Sequence, residues 1–125
     1  MKIASLVLLG LFCFVMPVSA TGEPLLNDDI AGVYHCDGGS YSGTVIIQKY
    51  EETYSLVWTI GGQTHTGVAL REGELLSCCW VPSYGPPGIV VYKIGSDRKL
   101  SGRYASLGGN GKVAVEVLTF VSPLV

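Results

Sequence analysis

The sequence predicts an all-β fold, a single eight-stranded antiparallel up-and-down β-barrel, and three observations carry that reading. Apolar residues after position 31 recur with a period of two, the spacing that puts one face of a strand into a core. Eight such stretches are separated by short links rich in Gly, Pro and acidic residues. No stretch has the periodicity of an amphipathic helix, so nothing in the chain can cover an open sheet.

The first expected strand is Gly32–Cys36, followed by Tyr41–Lys49. Thr53–Ile60 is the clearest, because Tyr54, Leu56, Trp58 and Ile60 alternate with Ser55, Val57 and Thr59. Gln63–Leu70 follows across Gly61-Gly62, a two-residue hairpin signal, and Glu74–Val81 follows across the tight turn at Glu72-Gly73. Gly88–Ile94 alternates Val90, Tyr92 and Ile94 with Val91 and Lys93; Lys99–Ala105 and Lys112–Val121 complete the set. Links this short permit only antiparallel neighbours, and the two longer ones, at 82–87 and 106–111, are compatible with the same meander. An open sheet of these strands would leave one face wet and two edges unpaired, and closure removes both problems. Ser42-Gly43, Thr66-Gly67 and Ser101-Gly102 place glycines near the starts of three strands, where they relieve crowding as a strand coils.

Ahead of the strands, Lys2, the apolar run Ile3 to Met16 and the small residues Val18 and Ala20 have the layout of a secretory signal cleaved after Ala20. The run is short for a membrane span, and Phe12 before Cys13 argues against a lipid anchor. The organisation read from the sequence is therefore 1–20 signal peptide, 21–31 flexible N-terminal segment and 32–121 barrel domain, in a secreted or periplasmic protein without a stable membrane anchor. Eight basic residues stand against ten acidic ones, with no basic run, so a nucleic-acid groove has almost nothing to be built from.

Cys36, Cys78 and Cys79 follow the signal. In an oxidising compartment they predict one bridge from Cys36 to one of the neighbouring pair, with Cys78 taken as the partner and Cys79 pointing to the other face. No C-x-x-C spacing accompanies them, so neither a metal nor any other cofactor is expected.

Catalytic signatures are equally scarce. His35 and His65 are the only histidines, and no nucleophile elbow, zinc helix, phosphate loop or dinucleotide fingerprint is present, so no enzyme is predicted. His65, alternating with Gln63 and Ala69, reads as a solvent-face residue and His35 as a strand residue near the rim. Glu116 sits between Val115 and Val117 in step with Leu118 and Phe120. Either it points inward and needs a partner such as Arg103, or Val113, Val115 and Val117 point inward and it is a surface charge; the surface alternative is taken as the expectation.

The aromatic residues give the best lead to a binding site. Trp58, Trp80, Tyr92 and Tyr104, with Tyr54, fall on apolar faces of separate strands, where they either fill a small barrel or line the mouth of a calyx. Tyr84, in the stiff Pro82-Ser83-Tyr84-Gly85-Pro86-Pro87 loop, reads as a contact for a protein partner.

The run Thr66-Gly67-Val68-Ala69-Leu70 to Gly73, then Leu75-Leu76 and Trp80, Gly88-Ile89-Val90-Val91-Tyr92-Lys93-Ile94, Leu100-Ser101-Gly102-Arg103-Tyr104 and Glu116-Val117-Leu118-Thr119, resembles a group of small exported bacterial proteins often labelled fibronectin-binding or secreted. The likeness covers roughly residues 32–120 and consists of sheet-forming motifs. It implies a barrel, and its label implies adhesion to a host matrix protein. Tyr34-His35-Cys36-Asp37-Gly38-Gly39 is similar to the opening motif of periplasmic lysozyme inhibitors, also eight-stranded barrels, and the shape is similar to avidin and the lipocalins. The expected function is thus a non-catalytic exported binding module for a protein partner, with a carrier of a small hydrophobic ligand or a lysozyme-inhibitor-like protein as the alternatives.

Overall fold

The structure, a computed structural model, describes residues 29–125. The expected signal peptide, and residues 21–28 of the segment after it, lie outside the described residues.

Among the described residues eight strands follow one another without a helix: β1 (Gly32–Asp37), β2 (Ser42–Tyr50), β3 (Thr53–Ile60), β4 (Gln63–Glu72), β5 (Leu75–Pro82), β6 (Gly88–Ile94), β7 (Leu100–Ser106) and β8 (Ala114–Ser122). Each pairs antiparallel with the next, and β8 returns to β1 to close the barrel. The closing seam pairs Tyr34 with Phe120 and Cys36 with Leu118, with a register shift between Val33 and Tyr34 that bends β1 across the end of the barrel. The alternation read from the sequence places the strand ends within two residues of those observed, because hairpin links leave a strand little freedom to slide.

The interior is filled by one cluster in which Tyr34, Val45, Ile47, Leu56, Tyr92 and Leu118 are fully buried. Ile30, just before β1, is 1% exposed, and its carbonyl accepts a 2.8 Å hydrogen bond from the Tyr34 hydroxyl. Ile30 therefore plugs one end of the barrel. Arg98, at φ +64° in the β6–β7 turn, lays its guanidinium 4.4 Å from the centre of the Phe120 ring at that same end.

Glycines decide where the aromatic rings lie. A Cβ on Gly102 would come within 2.7 Å of the Tyr92 ring, and one on Gly67 within 3.0 Å of Trp58 and 2.8 Å of the Cys78 sulfur. Gly88 lies under the Trp80 indole and Gly38 under the Tyr41 ring in the same way. Gly43 instead makes room for the backbone carbonyl of Thr59. The glycines of the hydroxyl-Gly pairs are structural, and at Gly67 and Gly102 their work is to seat an aromatic side chain flat on the barrel wall.

Two expectations about facing are reversed. His65 stands on the inner face of β4 with Gly67 and Ala69, while Val68 and Leu70 point out. Trp58 and Trp80 occupy the interior beside β4, so positions 67 and 69 take only Gly and Ala inward and the larger apolar Val68 and Leu70 are left outside. Glu116 is likewise inside and 5% exposed, because β8 pairs it with the inward Gly102 while Val115 lies opposite the outward Arg103.

The expected Cys36–Cys78 bridge is absent, and Cys36, Cys78 and Cys79, the cysteines among the described residues, are free thiols. Cys36 on β1 and Cys78 on β5 both face inward, but their strands are four apart around an eight-strand barrel. They face each other from opposite walls, beyond the reach of a disulfide.

Candidate ligand-binding site

The end of the barrel opposite Ile30 carries the β1–β2, β3–β4, β5–β6 and β7–β8 loops, and a cavity of about 290 Å³ opens there. Its walls are Tyr41, Trp58, Ile60, Trp80, Val90 and Tyr104, joined by His65 and by Glu116 at the base. The wall residues come from five places in the meander: Trp58 and Ile60 from the end of β3, Trp80 from β5, Val90 from β6, Tyr104 from β7, and Tyr41 from the turn before β2. Trp80 and Tyr104 meet edge to face, with ring centres 5.7 Å apart at 77°.

Glu116 is the hub of this arrangement. One carboxylate oxygen accepts from the Tyr41 hydroxyl at 2.6 Å and from the Cys36 thiol at 3.4 Å. The other accepts from the Trp58 indole N–H at 3.2 Å and from the Tyr92 hydroxyl. Trp58 Nε1 also lies 3.3 Å from the Tyr92 oxygen, so the two donors share one corner of the carboxylate. All four donors are uncharged. Arg103, the candidate partner for an inward Glu116, is exposed on the outer face of β7. His35 is also on the outside, so Glu116, Arg103 and His35 do not meet in a cleft.

The carboxylate and the dry interior together hold their neighbours in the neutral form. Burial, then the charge of Glu116, pushes the Tyr92 hydroxyl well above its ordinary pKa, and burial followed by the hydrogen bond to Glu116 does the same to Tyr41. The Cys36 thiol is raised by burial and by Glu116, and burial lifts Cys78 to about 12. These are not the lowered pKa values that make a thiol nucleophilic. Among the described residues, no three His, Cys, Asp or Glu side chains come together as a metal site. His65 Nδ1 is buried in the cavity wall without a hydrogen-bond partner, which leaves one polar position there unused.

Of the four aromatic residues expected to bind a ligand, Trp58, Trp80 and Tyr104 line the cavity. Tyr92 lies beneath it, fully buried, and serves the site through its bond to Glu116. Tyr54 belongs to the plugged end. Sequence reasoning missed Tyr41, His65 and the role of Glu116; Gly67 and Ala69, small residues on the face of β4 that carries His65, were the available sign that this face turns inward. At the plugged end a wider depression of about 750 Å³ is rimmed by Lys49, Arg71 and Arg98 against Glu52 and Glu74, so its charges oppose one another.

Fold and site define an eight-stranded up-and-down barrel with an aromatic cavity at one end, a calyx built around a buried glutamate. Comparison with protein-family models, curated proteins and solved structures finds no match to this chain.

Proposed function

We propose that the chain is a non-catalytic, exported binding protein that holds a small molecule with an apolar body in the calyx. The observation that carries this reading is the cavity itself: about 290 Å³ walled by aromatic and aliphatic side chains, with few polar groups converging on it. Both tryptophans of the chain stand in its wall, so ligand entry alters their surroundings directly. Tryptophan emission titrated with a panel of one-ring molecules bearing no charge, a positive charge or a negative charge is expected to saturate with at least one member, and to lose that response in Trp80→Ala. A panel with no saturable member refutes the calyx.

A protein partner is the second reading, favoured by the outer surface of β4, β5 and β6. The register sets Val68 beside Cys79 and Ile89, and Leu70 beside Ser77 and Val91, so these side chains form one continuous outward patch. Leu70 is 61% and Ile89 58% exposed, and Tyr84 projects from the β5–β6 loop at 87%. The resemblance to proteins labelled fibronectin-binding makes a host matrix protein the partner to try, with lysozyme beside it. A pull-down of the barrel against both is expected to show micromolar binding that Leu70→Lys with Ile89→Lys abolishes; binding unaffected by that pair removes the patch from consideration.

A further inference from the structure

We propose that the calyx selects a compact organic cation whose nitrogen carries alkyl groups in place of N–H bonds, a quaternary ammonium. The inference rests on the calyx reading above and deepens it.

A carboxylate at the base of a cavity brings negative charge into surroundings where charge is poorly screened, and buried charges are ordinarily paired. Glu116 has no such pairing from its own neighbours, since Tyr41, Cys36, Trp58 and Tyr92 all donate as neutral groups. What remains unmet is charge, and a cationic ligand supplies it.

The same four bonds decide what kind of cation. A carboxylate offers about four lone-pair sites, and all four are taken. A primary ammonium entering the cavity would leave its water shell with three N–H groups to satisfy and find no free acceptor on Glu116 unless it displaced Tyr41 or Trp58; His65 Nδ1 can meet only one of them. A quaternary ammonium has no N–H to satisfy, so it gains the attraction without that loss. Four aromatic side chains, Tyr41, Trp58, Trp80 and Tyr104, line the space above the carboxylate, and aromatic faces attract such cations. Their positions are held by glycines beneath Tyr41, Trp58 and Trp80, so the cage exists before the ligand arrives. The volume of about 290 Å³ lies at the small end of ligand pockets and restricts the cation to a compact one. His65 Nδ1 offers one hydrogen bond to a polar group elsewhere on the ligand.

The test uses probes matched in shape. Benzyltrimethylammonium, its uncharged carbon isostere neopentylbenzene, benzylammonium and phenylacetate are titrated against the barrel, with tryptophan emission as the readout. Benzyltrimethylammonium is expected to bind at least tenfold more tightly than the isostere and than benzylammonium, with no saturation by phenylacetate; Glu116→Gln is expected to erase the preference over the isostere. Equal or tighter binding of the isostere overturns the cation inference and leaves the calyx standing. Tighter binding of benzylammonium also overturns it, since that requires an open acceptor. Saturation by none of the four overturns the calyx and the inference together. The comparison among probes in the unaltered chain decides the matter even if Glu116→Gln does not fold, and Trp80→Leu, which keeps the carboxylate, is expected to weaken the quaternary cation more than the isostere.

Discussion

Replacing Glu116 by leucine removes the acceptor on which four donors converge, and the structure allows the cost to be worked out donor by donor. Tyr41 is only partly buried and can turn its hydroxyl to water at the cavity mouth. The Cys36 thiol is a weak donor and loses little. Trp58 and Tyr92 are almost completely buried; the indole N–H can fall back on the Tyr92 oxygen 3.3 Å away, but the Tyr92 hydroxyl is then left without an acceptor. A stranded buried donor costs roughly 1–3 kcal/mol, and the charge-assisted bonds that stabilised the hub disappear as well. The expected loss for Glu116→Leu is about 3 kcal/mol. Glu116→Gln keeps one carbonyl oxygen for Trp58 and Tyr92 and presents its NH2 to Tyr41, whose hydroxyl can turn to accept, so it should cost about 1 kcal/mol. Equilibrium urea unfolding followed by tryptophan emission measures both, as shifts in midpoint at an unchanged slope. A leucine variant as stable as the parent would show that the four donors do not depend on the carboxylate. Equal losses for leucine and glutamine would show that the charge, not the acceptor geometry, stabilises the hub; either result refutes the reasoning.

Alkaline unfolding should be steep. Burial pushes Tyr34 up to about 12 from 10.0 and Cys78 up to about 12 from 9.0, so the unfolded chain gives up these protons at lower pH than the folded one. Their contribution is complete below about pH 9 and drains between about pH 9 and 12, at roughly 1 kcal/mol per pH unit for each group already titrated in the unfolded chain; a denaturation midpoint that stays level from pH 8 to 11 contradicts this. Thiol reactivity should divide the cysteines: in a chain begun at Thr21, one equivalent, that of the exposed Cys79, reacts with a disulfide reagent in the native state, and Cys36 and Cys78 react only on unfolding. Two or three fast equivalents in native buffer would place the inner thiols within reach of solvent.

The strands were legible because most hairpin links are short and the inward faces of β3 and β6 carry residues as large as Tyr54, Trp58 and Tyr92 against Ser55, Thr59 and Lys93. Barrel closure followed from the absence of any helix to cover a sheet. The phase of β4 and β8 was not legible for one physical reason: both strands reverse the usual rule locally. On β4 the interior is already occupied by neighbouring indoles, so Gly67 and Ala69 go in and Val68 and Leu70 go out. On β8 a charged side chain goes in because three strands and a turn supply donors to it, and those donors are far apart in sequence, at 36, 41, 58 and 92. The cysteine pairing failed similarly, since sequence arithmetic counts thiols but does not know that β1 and β5 occupy opposite walls. Trp58, Trp80 and Tyr104 border the cavity because large aromatic side chains on inward faces must lie somewhere in a small barrel; which of them border empty space depends on where the glycines sit.

A ring resting on a glycine has its depth fixed by an atom that is missing from the opposite strand. Adding a single methyl at position 38 would meet only the Tyr41 ring and displace it at the mouth, while leaving every residue that touches the guest unchanged; one at 67 or 88 would also strike a backbone carbonyl, that of Cys79 or Ala105. Relatives of this barrel could therefore drift toward smaller or larger guests through the floor under the rings, and a survey confined to the contacting side chains would record no difference between them.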